Sequence, residues 1–136
     1  MNASTFDFER LEVYQKSLDF IDDIFRLYRN WRPDDKIMIG SNLVRAALSV
    51  ANNLAEGNGK QSKKEKRRYF GTALDSAREC ISVFNVLKRQ RIIDEKKYGE
   101  MRTNGRVITN MIWGLIDGNS DSQLSVPRSQ FSERKC

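Results

Sequence analysis

Four stretches of the chain repeat apolar residues at steps of three and four, the spacing that places side chains on one face of a helix. The first stretch has two such rows side by side, which predicts that its helix contacts two neighbours. The rows are Leu11, Tyr14, Leu18, Ile21, Phe25 and Tyr28, and beside them Val13, Phe20, Ile24, Leu27 and Trp31. We expect Asp7 to cap this helix, which begins near Phe8. Arg32-Pro33 should end it, because the residue before proline disfavours helical geometry.

Three further helices are bounded by residues typical of helix ends. The second is predicted to begin at that proline and to end at Gly57, since glycine suits the left-handed geometry that often follows a helix. Ser62 is expected to cap the third helix, which ends around residues 88–91. Asp94 is expected to cap the fourth, which ends near residues 117–118.

Four helices with short connections and no strand pattern predict an all-α fold, an antiparallel up-down-up-down four-helix bundle. The bundle should occupy residues 8–117, after an N-terminal extension over residues 1–7. Residues 118–136 are polar and rich in serine, without a helical period, and are expected to form a flexible C-terminal tail.

The second helix has two contrasting faces over residues 45–57, RAALSVANNLAEG. One face is small and apolar, and the other carries a row of short polar residues between one arginine and one glutamate. Arg45 and Glu56 are three turns apart, too far to pair along one helix. The row is either an ordinary wet surface or a docking surface, and we expect Arg45, Asn53 and Glu56 to make contacts between helices or subunits. The assembly candidates on this helix are Arg45, Ser49, Asn52, Asn53 and Glu56.

Trp113 is a further assembly candidate, on the fourth helix. It projects away from the apolar row that runs from Tyr98 to Leu115, near the phase of Arg102 and Arg106. An exposed tryptophan beside arginine is typical of an interface anchor. Burial against the first helix is the alternative.

The net charge of +6 is spread unevenly over the 136 residues. Residues 1–59 hold 7 Lys/Arg against 9 Asp/Glu, whereas residues 60–106 hold 14 against 6, a net charge of +8. The positive charge therefore belongs to the middle of the chain.

Two basic clusters account for most of this charge. The first basic cluster is Lys60, Lys63, Lys64, Lys66, Arg67 and Arg68, and the second is Lys88, Arg89, Arg91, Lys96 and Lys97. The first lies at the start of the third helix, where the helix dipole favours acids, so something outside the helix should compensate it. A nucleic-acid backbone is the obvious candidate, with Tyr69 as a possible stacking residue. The alternative is that both clusters are solvated ends of the bundle, which an antiparallel bundle places far apart.

No pattern in the sequence indicates catalysis or a cofactor. The chain has no histidine, no glycine-rich phosphate loop and no nucleophile motif, and its two cysteines form no metal-binding pattern. We therefore expect no enzyme, no metal and no other cofactor, and we assign Cys80 to the core. The chain also lacks an apolar run of about 18 residues and a signal peptide, which favours the cytoplasm and no membrane partner.

Three motifs together resemble the four-helix-bundle family of 23S rRNA intervening sequence proteins over residues 8–117. The matching residues are Phe8, Leu11, Val13, Tyr14 and Gln15, then Arg45, Ala46, Ser49, Val50, Asn53, Leu54, Ala55, Glu56 and Gly57, then Tyr69, Ala73, Ser76 and Glu79. The resemblance implies a small cytoplasmic bacterial protein without enzymatic activity, often encoded within insertions in large-subunit rRNA genes. It also implies ring-like homopentamers, and related proteins serve as accessory subunits of reverse transcriptases in diversity-generating retroelements.

The leading hypothesis is a non-enzymatic, homo-oligomeric bundle that binds nucleic acid, with RNA the expected ligand and DNA possible. Its candidate binding residues are the first basic cluster together with Lys88, Arg89 and Arg91. The competing hypothesis is a protein-interaction scaffold, such as an accessory subunit of a reverse transcriptase.

Overall fold

Helices make up most of the chain between residues 4 and 120, the part that a computed structural model of the protein describes. The four long helices are α1 (Glu12–Tyr28), α2 (Ser41–Asn58), α3 (Lys63–Arg89) and α4 (Glu95–Gly118), and residues 4–120 contain no strand. The prediction of an all-α fold with four helices is confirmed. Of the expected tail, residues 121–136 lie outside the described part.

Neighbouring helices contact each other in antiparallel order, so residues toward the start of one helix meet residues toward the end of the other. The pairs are Asp7 with Asn58, Arg45 with Glu79, Ser49 with Ser76, Lys88 with Glu95, and Arg67 with Asn119. Consecutive helices therefore run in opposite directions, and α4 packs back on α1 to close the bundle. We call the end at Asn58, Lys63 and Gly118 the near end, and the end at Tyr28, Arg89 and Glu95 the far end.

The core uses the second of the two apolar rows on α1. Phe20 and Ile24 are fully buried, and the Phe20 ring meets the Phe84 ring of α3 edge to face at 5.9 Å between centroids. The largest buried side chains from the other helices are Leu43, Leu54, Phe70, Leu87, Ile108 and Ile112. The first row on α1, from Leu11 to Tyr28, is only half-buried. Cys80 is fully buried, as predicted.

Helices α2 and α3 approach each other closely at Gly57. A Cβ atom at this position would lie 2.8 Å from the Phe70 ring and 2.9 Å from the Cβ of Tyr69. The expectation that Gly57 ends the helix in the left-handed conformation is wrong, because α2 continues to Asn58 and no glycine in residues 4–120 has a positive φ. Glycine is needed at position 57 because a side chain would not fit there, and not because of its backbone freedom.

The region before α2 departs from the predicted regular helix. The expectation that Asp7 caps the first helix is wrong, because a 3-10 turn (Asp7–Arg10) precedes α1 and the Asp7 carboxylate accepts a hydrogen bond from Asn58. Helix α1 also ends at Tyr28, earlier than expected. A helical turn does begin at Pro33, but a π-helical turn (Lys36–Gly40) follows it before α2. Gly40 permits this path because its backbone lies against the Tyr28 ring, where a Cβ would be 2.6 Å from Cδ2.

The later helix boundaries agree with the predicted caps. Ser62 Oγ accepts the N–H of Glu65 at 3.0 Å, and Asp94 Oδ1 accepts the N–H of Lys97 at 2.8 Å. Between the two helices Arg91 has φ 60°, the left-handed region that favours glycine.

Candidate nucleic-acid interface

Two members of the first basic cluster bind the ends of other helices. Lys66 Nζ donates to the carbonyl oxygens of Asn58 at 2.8 Å and Gly57 at 3.5 Å, and Arg67 Nη1 donates to that of Asn119 at 2.5 Å. The last carbonyls of a helix carry a partial negative charge. The carbonyl groups at the ends of α2 and α4 therefore compensate the positive charge of Lys66 and Arg67 at the start of α3.

Two further members of the cluster contact the ring of Tyr69. Lys60 Nζ lies 5.0 Å and the Arg68 guanidinium carbon 4.9 Å from the ring centroid, a cation–π geometry. Lys60 is also 3.9 Å from Glu56, and Arg68 is 3.0 Å from Glu65. The hydrogen bond from Arg68 lowers the pKa of Glu65, so this carboxylate stays charged and offsets one cation. Tyr69 is thus engaged by cations, contrary to the expectation of a ring available for stacking.

Lys63 and Lys64 remain exposed at the start of α3, and within residues 4–120 their side chains make no hydrogen bond or ion pair. Arg68 adds an exposed charge beside them, although it shares that charge with Glu65. Of the six cations of the first basic cluster, only Lys63, Lys64 and Arg68 are therefore exposed.

The second basic cluster lies at the far end of the bundle. Lys88 pairs with Glu95 at 3.0 Å and its Nζ lies 4.6 Å from the centroid of the Tyr98 ring, while Lys97 pairs with Glu100 at 3.1 Å. The remaining members, Arg89, Arg91 and Lys96, are exposed. The 27 residues of α3 separate the two clusters by about 40 Å. One subunit therefore does not bring them into one patch.

The polar row of α2 divides between two kinds of contact. Arg45 reaches α3, with its Nη2 3.4 Å from Glu79 Oε2, and it also bonds Asn42. Ser49 Oγ lies 2.7 Å from Ser76 Oγ of α3, and Asn53 donates to Ser49 within α2.

Asn52 and Glu56 make no hydrogen bond or ion pair with another helix within residues 4–120. Glu56 pairs with Lys60 in the turn that follows α2, and Asn52 is exposed. The row thus joins α2 to α3 through Arg45 and Ser49, while its other members face solvent or their own segment.

Trp113 is buried, with 7% of its surface exposed, so of the two alternatives the exposed interface anchor is wrong and burial is confirmed. Helix α4 contacts both α1 and α3, so positions on either side of its main apolar row are covered. A single row read from the sequence underestimates the buried width of such a helix.

The sequence reasoning missed an exposed apolar surface at the far end. Ile37 and Met38 are 74% and 75% exposed on the π-helical turn, and Leu48 of α2 is also exposed. A groove of about 620 Å³ lies along this side. Its lining includes Tyr28, Lys36, Val44, Arg45, Leu48 and Asn52. A regular helical projection of residues 33–57 could not place Ile37 and Met38 correctly, because the π-helical turn shifts the phase.

Phe6 was also missed, because it precedes the first periodic row. It is 64% exposed, and its ring is stacked on that of Phe8 with 5.8 Å between centroids and 15° between planes. The N–H of Phe6 donates to Glu9 Oε1 at 2.9 Å, which anchors the backbone at this residue.

The remaining chemistry of the described residues is limited. Within residues 4–120 no group of three or more His, Cys, Asp or Glu side chains could hold a metal ion. Burial, followed by the charge of Glu79, raises the pKa of Cys80 to about 12, so its sulfur stays a neutral thiol near neutral pH. None of the helices in this part of the chain is long and apolar enough to cross a membrane.

Residues 9–114 match the family model described as 23S rRNA-intervening sequence protein. The chain belongs to this family. A solved structure from the S23 ribosomal protein family of Bacteroides thetaiotaomicron VPI-5482, a protein of unknown function, superposes with a TM-score of 0.73. It is 23% identical, and the match covers 78% of this chain and 96% of that one, which supports the fold alone. No curated protein matches the chain.

Proposed function

We propose that this 23S rRNA-intervening sequence protein is a non-enzymatic nucleic-acid-binding protein that uses the near end of the bundle. The observation that supports it best is the pair Lys63 and Lys64, which are exposed and make no hydrogen bond or ion pair within residues 4–120, beside cations that are already bound to helix ends. RNA is the expected ligand, because the family description refers to rRNA intervening sequences. As the family resemblance implies, the protein acts in the bacterial cytoplasm.

The binding is electrostatic and therefore depends strongly on salt. Each lysine that neutralises a phosphate releases a condensed counterion, so affinity falls as salt rises and depends little on sequence. Anisotropy titrations of a labelled RNA hairpin and a DNA duplex over a range of salt concentrations test this. Replacing both Lys63 and Lys64 by alanine should weaken binding and reduce the slope of log K against log salt by about 1.4–1.8.

A double alanine variant of Arg89 and Arg91 is the matched control, because these exposed arginines lie at the far end. An equal loss in both double variants would indicate nonspecific attraction to any cation. Absence of binding by the unmodified protein at low ionic strength would rule out the proposed function.

We also propose that the protein acts as a homo-oligomer, with the far-end apolar surface of Ile37, Met38 and Leu48 as a contact. Large apolar side chains exposed at one end of a domain are typical of association surfaces, and these three are exposed. In a ring, such as the homopentamer that the resemblance implies, symmetry repeats the basic near end and increases avidity. Light scattering tests this, because a particle of 15.8 kDa under all conditions would contradict it.

The alternative function is that of an accessory protein whose partner is another protein, such as a reverse transcriptase of a diversity-generating retroelement. The exposed Lys63 and Lys64 favour it as well, because a basic surface suits an acidic protein partner as much as a phosphate backbone. Lys63→Glu with Lys64→Glu discriminates the two functions, since neither side chain supports the fold. Persistence of RNA binding with loss of the protein partner would favour the alternative.

A further inference from the structure

Phe6 presents an aromatic face at the near end of the bundle. Its ring packs in parallel on Phe8, and 64% of the residue is exposed, so the side away from Phe8 faces solvent. Phe8 in turn meets Tyr14 edge to face at 5.0 Å between centroids, which connects the pair to α1. These contacts between rings connect the exposed Phe6 ring to α1 through Phe8.

The ring lies beside the turn that carries the first basic cluster. Asp7, the next residue, accepts a hydrogen bond from Asn58 Nδ2 at 2.6 Å, and the Asn58 carbonyl accepts one from Lys66. Lys60 is two residues from Asn58, a span of at most about 7 Å. A ligand that covers this turn can touch both the ring and Lys60, and Lys63 and Lys64 follow three and four residues further along the chain.

The only other aromatic side chain suggested for stacking, Tyr69, is occupied by Lys60 and Arg68 at 5.0 and 4.9 Å from its centroid. The carboxylates next to Phe6 repel phosphate, but both are engaged, Asp7 by Asn58 and Glu9 by the Phe6 N–H. Phosphate groups are thus favoured over the lysines, and a neutral planar group over the ring.

We propose that Phe6 stacks an unpaired base while Lys63 and Lys64 contact neighbouring phosphates, so that the near end binds single-stranded nucleic acid or unpaired loops in preference to duplex. This inference rests on the proposed nucleic-acid binding. Every base has a π face, so stacking on an aromatic ring tolerates sequence but requires an unpaired base. A base inside a duplex is stacked on its neighbours and cannot cover the ring.

A membrane surface fits these observations less well. Binding in the interfacial region of a bilayer requires an apolar face that buries several large side chains. At this end Phe6 is the one large apolar side chain of residues 4–120 with most of its surface exposed. One ring suits a single base, whereas it provides little area for insertion into lipid.

The test compares a labelled single strand with a duplex of the same length, by anisotropy at one low salt concentration. Phe6→Ala should weaken binding to the single strand roughly five- to 150-fold, the range for loss of one stacked base, and change duplex binding by less than about twofold. Lys63→Ala with Lys64→Ala should weaken binding to both.

Two further substitutions separate stacking from apolar bulk. Phe6→Trp should retain single-strand binding, and Phe6→Leu should lose it as Phe6→Ala does, because leucine has no π face. Val86→Ala is the matched control, an exposed apolar residue near the far end of α3. Circular dichroism of each variant establishes that the helices are intact.

The outcomes distinguish this inference from the function on which it rests. Failure of the unmodified protein to bind either probe overturns the proposed function itself. Binding to both probes with no selective loss in Phe6→Ala overturns the inference alone. Binding to vesicles of anionic lipid that requires Phe6, without single-strand binding, also overturns it.

Discussion

The two basic clusters, at opposite ends of the bundle, hold six and five cations, yet the two ends use them differently. At the near end Lys66 and Arg67 bind the last carbonyls of α2 and α4, whereas at the far end Lys88 and Lys97 pair with glutamates. The far-end cations of α3 also lie at its own C-terminus, where the helix dipole favours them. A count of basic residues therefore overestimates the charge available to a ligand at both ends of the bundle.

The largest expected effect on stability is at the near end, where a side chain in place of Gly57 should destabilise the fold. Gly57→Ala is expected to lower the free energy of unfolding by about 1–3 kcal/mol, because the added methyl overlaps the Phe70 ring. Gly114→Ala is the matched control, since a Cβ there meets nothing within 4 Å. It should raise stability by about 0.5–1 kcal/mol through better helix propensity. Urea unfolding measures both, and equal effects would contradict the role of close packing.

The role of Lys66 as a cap for a neighbouring helix predicts the next largest effect. Lys66→Met should reduce the free energy of unfolding by about 1 kcal/mol, because the end of α2 loses its charged donor. Lys63→Met removes an exposed charge that has no ion pair within residues 4–120, and it should change the free energy of unfolding by less than about 0.5 kcal/mol. If Lys63→Met lowered the free energy of unfolding as much as Lys66→Met, the two lysines would not differ in their contribution to the fold.

At the far end the left-handed backbone of Arg91 gives an opportunity to stabilise the fold. Arg91→Gly should raise the free energy of unfolding by about 1 kcal/mol, because glycine adopts φ 60° without the clash of a Cβ atom. Arg89→Gly removes the same charge from helical backbone and should lower stability. Thermal unfolding of the two variants tests this. If Arg89→Gly were also more stable, the stabilisation by Arg91→Gly would come from loss of charge and not from the backbone conformation.

The smallest expected effect is a pH dependence from the pair of Glu65 and Arg68. Because the folded state lowers the pKa of Glu65 below its ordinary value of 4.5, the pair stabilises the fold above that pH. Its contribution is lost as the pH falls through the folded-state pKa. Urea midpoints followed from neutral to acidic pH should therefore fall slightly more for the unmodified protein than for Arg68→Ala, and parallel curves would exclude this contribution.

Features determined by local sequence could be predicted, and those determined by distant contacts could not. Ser62 and Asp94 cap α3 and α4 as expected, because a cap needs only residues three positions apart. The π-helical turn and the role of Gly57 depend on the rings of Tyr28 and Phe70, which no local pattern reveals.

The same limit applies to the candidate site. The first basic cluster is visible in the sequence, but which of its members are available depends on where α2 and α4 end. Phe6 carries no periodic pattern, and its exposure follows from the 3-10 turn that begins at Asp7. The exposure of Trp113 could not be decided, because the sequence of a single helix does not show how many neighbours it has.

The half-buried row on α1 has a consequence for the distribution of stability within the molecule. Contacts between α2 and α3 and between α3 and α4 are more extensive than those of α1 with either neighbour. Helices with fewer buried contacts open at lower free energy than the rest of a domain. Helix α1 should therefore detach while the other three stay folded, which amide hydrogen exchange would detect as faster exchange over Glu12–Tyr28. A subunit contact that covers this row would slow that exchange and make the unfolding of the whole bundle more cooperative.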